Sequence, residues 1–109
     1  MKNEERKNET KAQGRMVVYL SAPVTGRPLE LVRIKFEEMR IAVGRHHDVV
    51  CPLDLTEDCE SDYAACMGRD VEALLRCDAV YFARGWQTSR GCRAELALAQ
   101  IYGKTVLFE

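Results

Sequence analysis

A chain of 109 residues with a formal net charge of −1 makes one domain, with room for a single sheet and a few helices. That charge balance gives no bulk attraction for a nucleic-acid polymer. No apolar run is long enough to span a membrane and residues 1–15 lack the apolar centre of a signal peptide, so a cytoplasmic protein with no membrane partner is expected.

Residues 1–15 carry eight charges and almost nothing apolar. Such an arm cannot bury enough surface to offset the entropy of ordering it, so a disordered charged tail is expected, followed by one α/β domain over 16–109. Residues 16–20, with Val17, Val18 and Tyr19, read as a first strand, and the Pro/Gly-rich stretch 22–28 reads as a turn. Leu31, Ile34, Met39 and Val43 then recur near helical spacing among charges, and Gly44 is the stop. Residues 48–51 form a second strand, ended by Pro52, and an acidic irregular link runs to about residue 60. Ser61 is the expected cap of a helix with Met67, Val71, Leu74 and Leu75 as its apolar stripe, ending near Cys77. Asp78 is expected to orient the junction into a third strand, 78–83. A last helix opens at Ser89 and stops at Gly103, and residues 105–108 are the fourth strand.

The βαβαβαβ order with strands apolar on both faces predicts a three-layer αβα domain of Rossmann or flavodoxin-like type. Its sheet should be parallel and four-stranded, in the order 2-1-3-4, with right-handed crossovers. Ligands on such sheets sit beyond the strand C-terminal ends, so the first three of those loops should share one pocket. On the first loop Ser21, Thr25 and Gly26 are the expected substrate contacts. The last helix carries Ala94, Leu96, Ala97, Leu98, Ala99 and Ile101 on more than one side, which predicts a homo-oligomer, a dimer or higher. The five cysteines (Cys51, Cys59, Cys66, Cys77, Cys92) are scattered with no C-x-x-C pair and are expected to be reduced, mostly buried thiols.

Residues 86–95 hold the most chemistry. A strand feeding a Ser/Gly turn at a helix N-terminus converges free backbone N–H groups and the helix dipole on one point, which suits a phosphate. Thr88, Ser89, Arg90, Gly91 and Arg93 are the expected phosphate contacts, and Trp86 is placed to stack on a base or close the pocket mouth. Glu95 is the only acid between Gly85 and Phe108. A carboxylate beside a phosphate-binding turn suits chemistry at a sugar carbon, where loss of a base passes through an oxocarbenium-like state. Asp70 is the candidate second acid. His46 and His47 have no further ligands at metal spacing, and neither a metal nor another cofactor is expected.

Three segments carry a family resemblance: Tyr19-Leu20-Ser21-Ala22-Pro23, the run from Arg69-Asp70-Val71-Glu72 to Cys77-Asp78-Ala79-Val80, and Ser89-Arg90-Gly91 leading to Glu95 and on to Gly103-Lys104. Together they resemble the nucleoside 2-deoxyribosyltransferase-like superfamily, above all its small phage and bacterial members, over nearly all of the chain from Val18 to Phe108. The resemblance implies a helix-borne glutamate nucleophile at Glu95, an aspartate near sugar and base at Asp70, and a tyrosine at Tyr19 that helps hold the glutamate. Base-exchanging members carry an aspartate six residues before the nucleophile. Ser89 stands there instead, as a serine does in the deoxynucleoside 5′-monophosphate N-glycosidases, where it contacts phosphate. Arg93 departs from those hydrolases, which carry a glycine there. The function implied is hydrolysis of a nucleotide N-glycosidic bond. The alternatives are a non-catalytic module that senses or sequesters a nucleotide-derived ligand, and a nucleoside 2-deoxyribosyltransferase.

Overall fold

Alternate side chains of a strand leave on opposite faces, and that alternation in the first strand organises the whole domain. The computed structural model describes residues 14–56, 59 and 61–109, so the charged arm expected over 1–15 lies almost wholly outside the described residues. Its elements are β1 (Val17–Ser21), α1 (Leu29–Gly44), β2 (Asp48–Val50), α2 (Tyr63–Arg76), β3 (Ala79–Phe82), α3 (Arg90–Ile101) and β4 (Thr105–Phe108), with short 3-10 turns at Pro52–Asp54 and Trp86–Thr88. All strand pairs are parallel and the order is β2-β1-β3-β4, as the alternation predicts. Tyr19 lies between Val50 of β2 and Val80 of β3.

Val18 and Leu20 point to one face and pack with Val32, Phe36, Met39 and Val43 of α1. Tyr19, Val80 and Phe82 point to the other and pack with Leu74 of α2 and with Cys92 and Ala99 of α3. The sheet is therefore covered on both sides, which its doubly apolar strands require. Asp78 holds the junction it was expected to hold: its Oδ2 accepts the Val17 N–H at 2.9 Å. Gly103 takes φ +69° after α3, the left-handed cap that ends a helix and favours glycine.

Three local expectations are corrected. On α1 the sheet selects Val32, Phe36, Met39 and Val43, while Leu31 and Ile34 face outward; the helix has two apolar sides and only contact with β1 chooses between them. The cap of α2 is Asp62, not Ser61: its carboxylate accepts the Ala65 N–H at 3.1 Å, one residue later than the hydroxyl would. The cysteines are not all free thiols. Cys59 and Cys66 are joined by a disulfide, because the Asp62-capped turn brings their Cα atoms to 5.6 Å, whereas Cys51, Cys77 and Cys92 are buried and free. Among the described residues no helix is long and apolar enough to cross a membrane.

Candidate functional site

Tyr19 and Ser21 are two residues apart on β1, so both side chains emerge on the face covered by α2 and α3. On α3 the inward stripe is Cys92, Glu95 and Ala99. Where the two meet, Tyr19 Oη donates to Glu95 Oε2 at 2.6 Å and Ser21 Oγ donates to Oε1 at 2.8 Å. Both oxygens of the carboxylate are thus fixed, on a residue only 7% exposed.

Burial pushes the Glu95 carboxyl up to about 7; the two hydroxyls pull it down and the charge of Asp70 adds to the rise. Burial first, and then the charge of Glu95, drives the Tyr19 hydroxyl far above its ordinary range, so it stays protonated and remains a donor. Asp70 reaches the same region from α2. Burial pushes its carboxyl up to about 6, and its Oδ1 is enclosed with no hydrogen-bond partner among the described residues. Two carboxyls that titrate near neutrality in one cleft are the equipment of an acid–base or glycosyl-transfer site.

They open into a cavity of about 630 Å³ bounded by α1, α2 and the loops at the strand C-terminal ends. Of the residues singled out from the sequence, Tyr19, Ser21, Thr25, Asp70, Ser89, Gly91 and Glu95 line it. Ser89 caps α3, its Oγ accepting the Cys92 N–H at 3.2 Å, and the hydroxyl keeps its own hydrogen to donate. Gly91 in the first turn leaves room: an added Cβ would meet only the Ser89 hydroxyl, at 3.8 Å.

The other expected contacts lie elsewhere. Trp86 packs with Phe82 and Phe108, ring centroids 6.1 and 5.7 Å away, so it fills the sheet edge and is not among the cavity walls. Thr88 Oγ1 donates to the Gly85 carbonyl at 2.8 Å. Arg90 and Arg93 are exposed on the outer side of α3, because the inward stripe of that helix is already occupied by Cys92, Glu95 and Ala99. Gly26, exposed with φ +78°, turns the first loop and is also outside the lining. Cys92 lines the cavity, but burial pushes its thiol up, which leaves it a packing residue rather than an activated nucleophile.

Sequence reasoning missed the α1 wall. Leu29, Arg33, Phe36 and Arg40 recur at i, i+4, i+7 and i+11 and line the cavity along its length. The signal was a helical row that begins directly after the first loop. Arg27 in that loop was missed too; its charge is near enough to act on the Cys92 thiol.

The fold as a whole has counterparts among solved structures. The fold is shared with 2-deoxyribosyltransferases. The enzyme from Leishmania mexicana superposes with a TM-score of 0.66 at 18% identity, over 84% of this chain and 62% of that one. The enzyme from the psychrotolerant Bacillus psychrosaccharolyticus superposes with a TM-score of 0.61 at 20% identity, over 84% of this chain and 70% of that one. The chain therefore spans less than two thirds of the Leishmania protein's length. No curated protein matches the sequence. Residues 16–108 match the family described as Domain of unknown function (DUF4406), and the chain belongs to that family.

Proposed function

We propose that this protein hydrolyses the N-glycosidic bond of a (deoxy)nucleoside 5′-monophosphate, with Glu95 as nucleophile and Asp70 as proton donor. The observation that supports it is Glu95 itself: a buried carboxylate held on both oxygens, beside the half-buried carboxyl of Asp70, at the wall of a ligand-sized cavity. Burying such a charge destabilises a fold and is retained where chemistry uses it.

In the first step a Glu95 oxygen bonds to C1′ as the C1′–N bond breaks, and Asp70 gives its proton to the departing base. Water then adds to C1′, Asp70 takes a proton from it, and Glu95 leaves as the carboxylate. The products are free base and sugar phosphate. Tyr19 and Ser21 aim the carboxylate and moderate its basicity, while Ser89, Gly91 and Thr25 receive the 5′-phosphate at the start of α3 and the first loop.

Transfer of the sugar to an acceptor base is the second reading, favoured by the two solved structures, which are 2-deoxyribosyltransferases. Incubation with nucleoside 5′-monophosphates and nucleosides, with and without added free base, separates the readings by chromatography. Base released from monophosphates alone supports hydrolysis. Product formed only with an added base supports transfer, and tight binding without turnover supports a sequestering module. The proposal includes self-association, since Ile101 at the end of α3, Tyr102 after it, and Leu31, Ile34 and Ile41 along α1 all remain exposed. A monomer mass by light scattering at micromolar concentration would overturn that part.

A further inference from the structure

We infer that the cavity has a second compartment, along the first loop and the start of α1, that receives the second half of a dinucleotide-type ligand: a phosphate on Arg33 and an aromatic ring against Val24, Leu29 and Tyr63. The inference rests on the nucleotide reading above and extends it from a mononucleotide to a nucleotide joined to another through a pyrophosphate.

Length is the first reason. The cavity follows α1 from Leu29 to Arg40, which at 1.5 Å per residue is a wall of roughly 16 Å. A sugar at Glu95 with a single base uses only part of a volume of about 630 Å³. Charge is the second reason. Arg40 is already neutralised, its guanidinium 3.1 Å from Asp54 and 3.4 Å from Glu37. Arg33 lines the same wall and has no acid partner among the described residues. Arg33 is exposed at the cavity wall, and a guanidinium with no acid partner among the described residues is matched by a phosphate, which it binds through two parallel hydrogen bonds, better than by a neutral base or ribose. Glu37 and Asp54 also line the cavity but pair with Arg40, and the carboxyls of Glu95 and Asp70 repel an anion at their own end, so a second phosphate settles toward Arg33.

Apolar surface is the third reason. Val24, Leu29 and Tyr63 line the cavity yet are 43%, 51% and 68% exposed, so a wall that can cover a flat aromatic ring stands beside the free cation. Arg33 and the Ser89–Gly91 turn come from different elements of one cavity, and a ligand that reaches both carries more than one anionic group. A pyrophosphate-linked dinucleotide supplies the two phosphates and the second ring together.

The test is calorimetric titration of the full chain with the four common nucleoside 5′-monophosphates and with the matching symmetric dinucleoside diphosphates. For at least one base the dinucleotide is expected to bind about tenfold more tightly, the value of one good charged hydrogen-bonding contact. Arg33→Met, which keeps the aliphatic stem, removes that margin, and Tyr63→Ala reduces it. Arg45→Met, at the far end of the same helix and outside the cavity, preserves it. Equal affinity for the two ligand forms, or a margin that survives Arg33→Met, overturns the second compartment while the mononucleotide reading stands. No binding by any of these ligands overturns both.

Discussion

Replacing Glu95 with glutamine should make the protein more stable at alkaline pH while destroying its chemistry. The carboxyl titrates near 7 in the fold instead of near 4.5, chiefly because it is buried. Between those values the folded protein holds a proton that the unfolded chain has released. The contribution to stability is therefore complete below about 4.5 and is lost as the pH rises through about 7. At 1.36 kcal/mol per pH unit the loss is on the order of 3 kcal/mol. Glutamine carries no charge to desolvate. Its amide accepts one hydroxyl and must turn the other into an acceptor, at a cost of about 1 kcal/mol. Above pH 7.5 the variant should gain about 2 kcal/mol net, a rise of roughly 10 °C in Tm for a domain of this size. At pH 4.5 it should match the parent or fall slightly below it.

Urea unfolding followed by circular dichroism at pH 4.5 and pH 8 measures both ends of that window. A difference between parent and variant that does not change between the two pH values would refute the burial argument for Glu95. In the same preparation N-glycosidic turnover should fall by on the order of a hundredfold or more, with ligand affinity retained. Stability gained with activity lost marks a group kept for function. Unchanged turnover in the folded variant removes Glu95 from the catalytic role.

Tyr19→Phe deletes the shorter of the two hydrogen bonds to Glu95 and should raise the titration of that carboxyl by about one pH unit, seen as an upward move of the limb of the pH–rate profile that reports its ionisation. For the parent, kcat/KM should be bell-shaped with its maximum between about 6 and 7, since Glu95 must be charged and Asp70 protonated. Glu95 titrates above Asp70, so that reactive form is the minority of the singly protonated state; Asp70→Asn should abolish the alkaline limb, and a profile flat from pH 5 to 8 would refute the pairing. Ser89→Ala removes the N-cap of α3 and should cost about 1 kcal/mol by chemical unfolding, while weakening a 5′-monophosphate more than its nucleoside in titration. Gly91→Ala should leave stability equal or higher by up to about 1 kcal/mol, since no backbone lies near the added methyl, yet reduce monophosphate affinity; unchanged affinity would place the phosphate elsewhere.

Sequence by itself determined the order of elements, the parallel sheet and its 2-1-3-4 order. Strands apolar on both faces must be covered twice, and few connections achieve that. It also singled out Glu95 as a candidate, because one acid in a long acid-free stretch at a helix start is visible without coordinates. The expected first strand ended at residue 20; only with β1 extended to Ser21 do Tyr19 and Ser21 share a face, and which face meets α3 is a tertiary fact. Only the fold shows that both hydroxyls close on one carboxylate 74 and 76 residues away. The arginines show the limit most clearly. Arg90 and Arg93 sit beside the phosphate turn in sequence, yet the helix rotation fixed by Cys92, Glu95 and Ala99 turns them outward. Arg33 sits in an unremarked charged helix, yet the packing of Phe36 on the sheet turns it into the cavity. Spacing sets which residues share a helix face, but the direction of that face is decided by what the helix packs against, and that partner is remote in the chain.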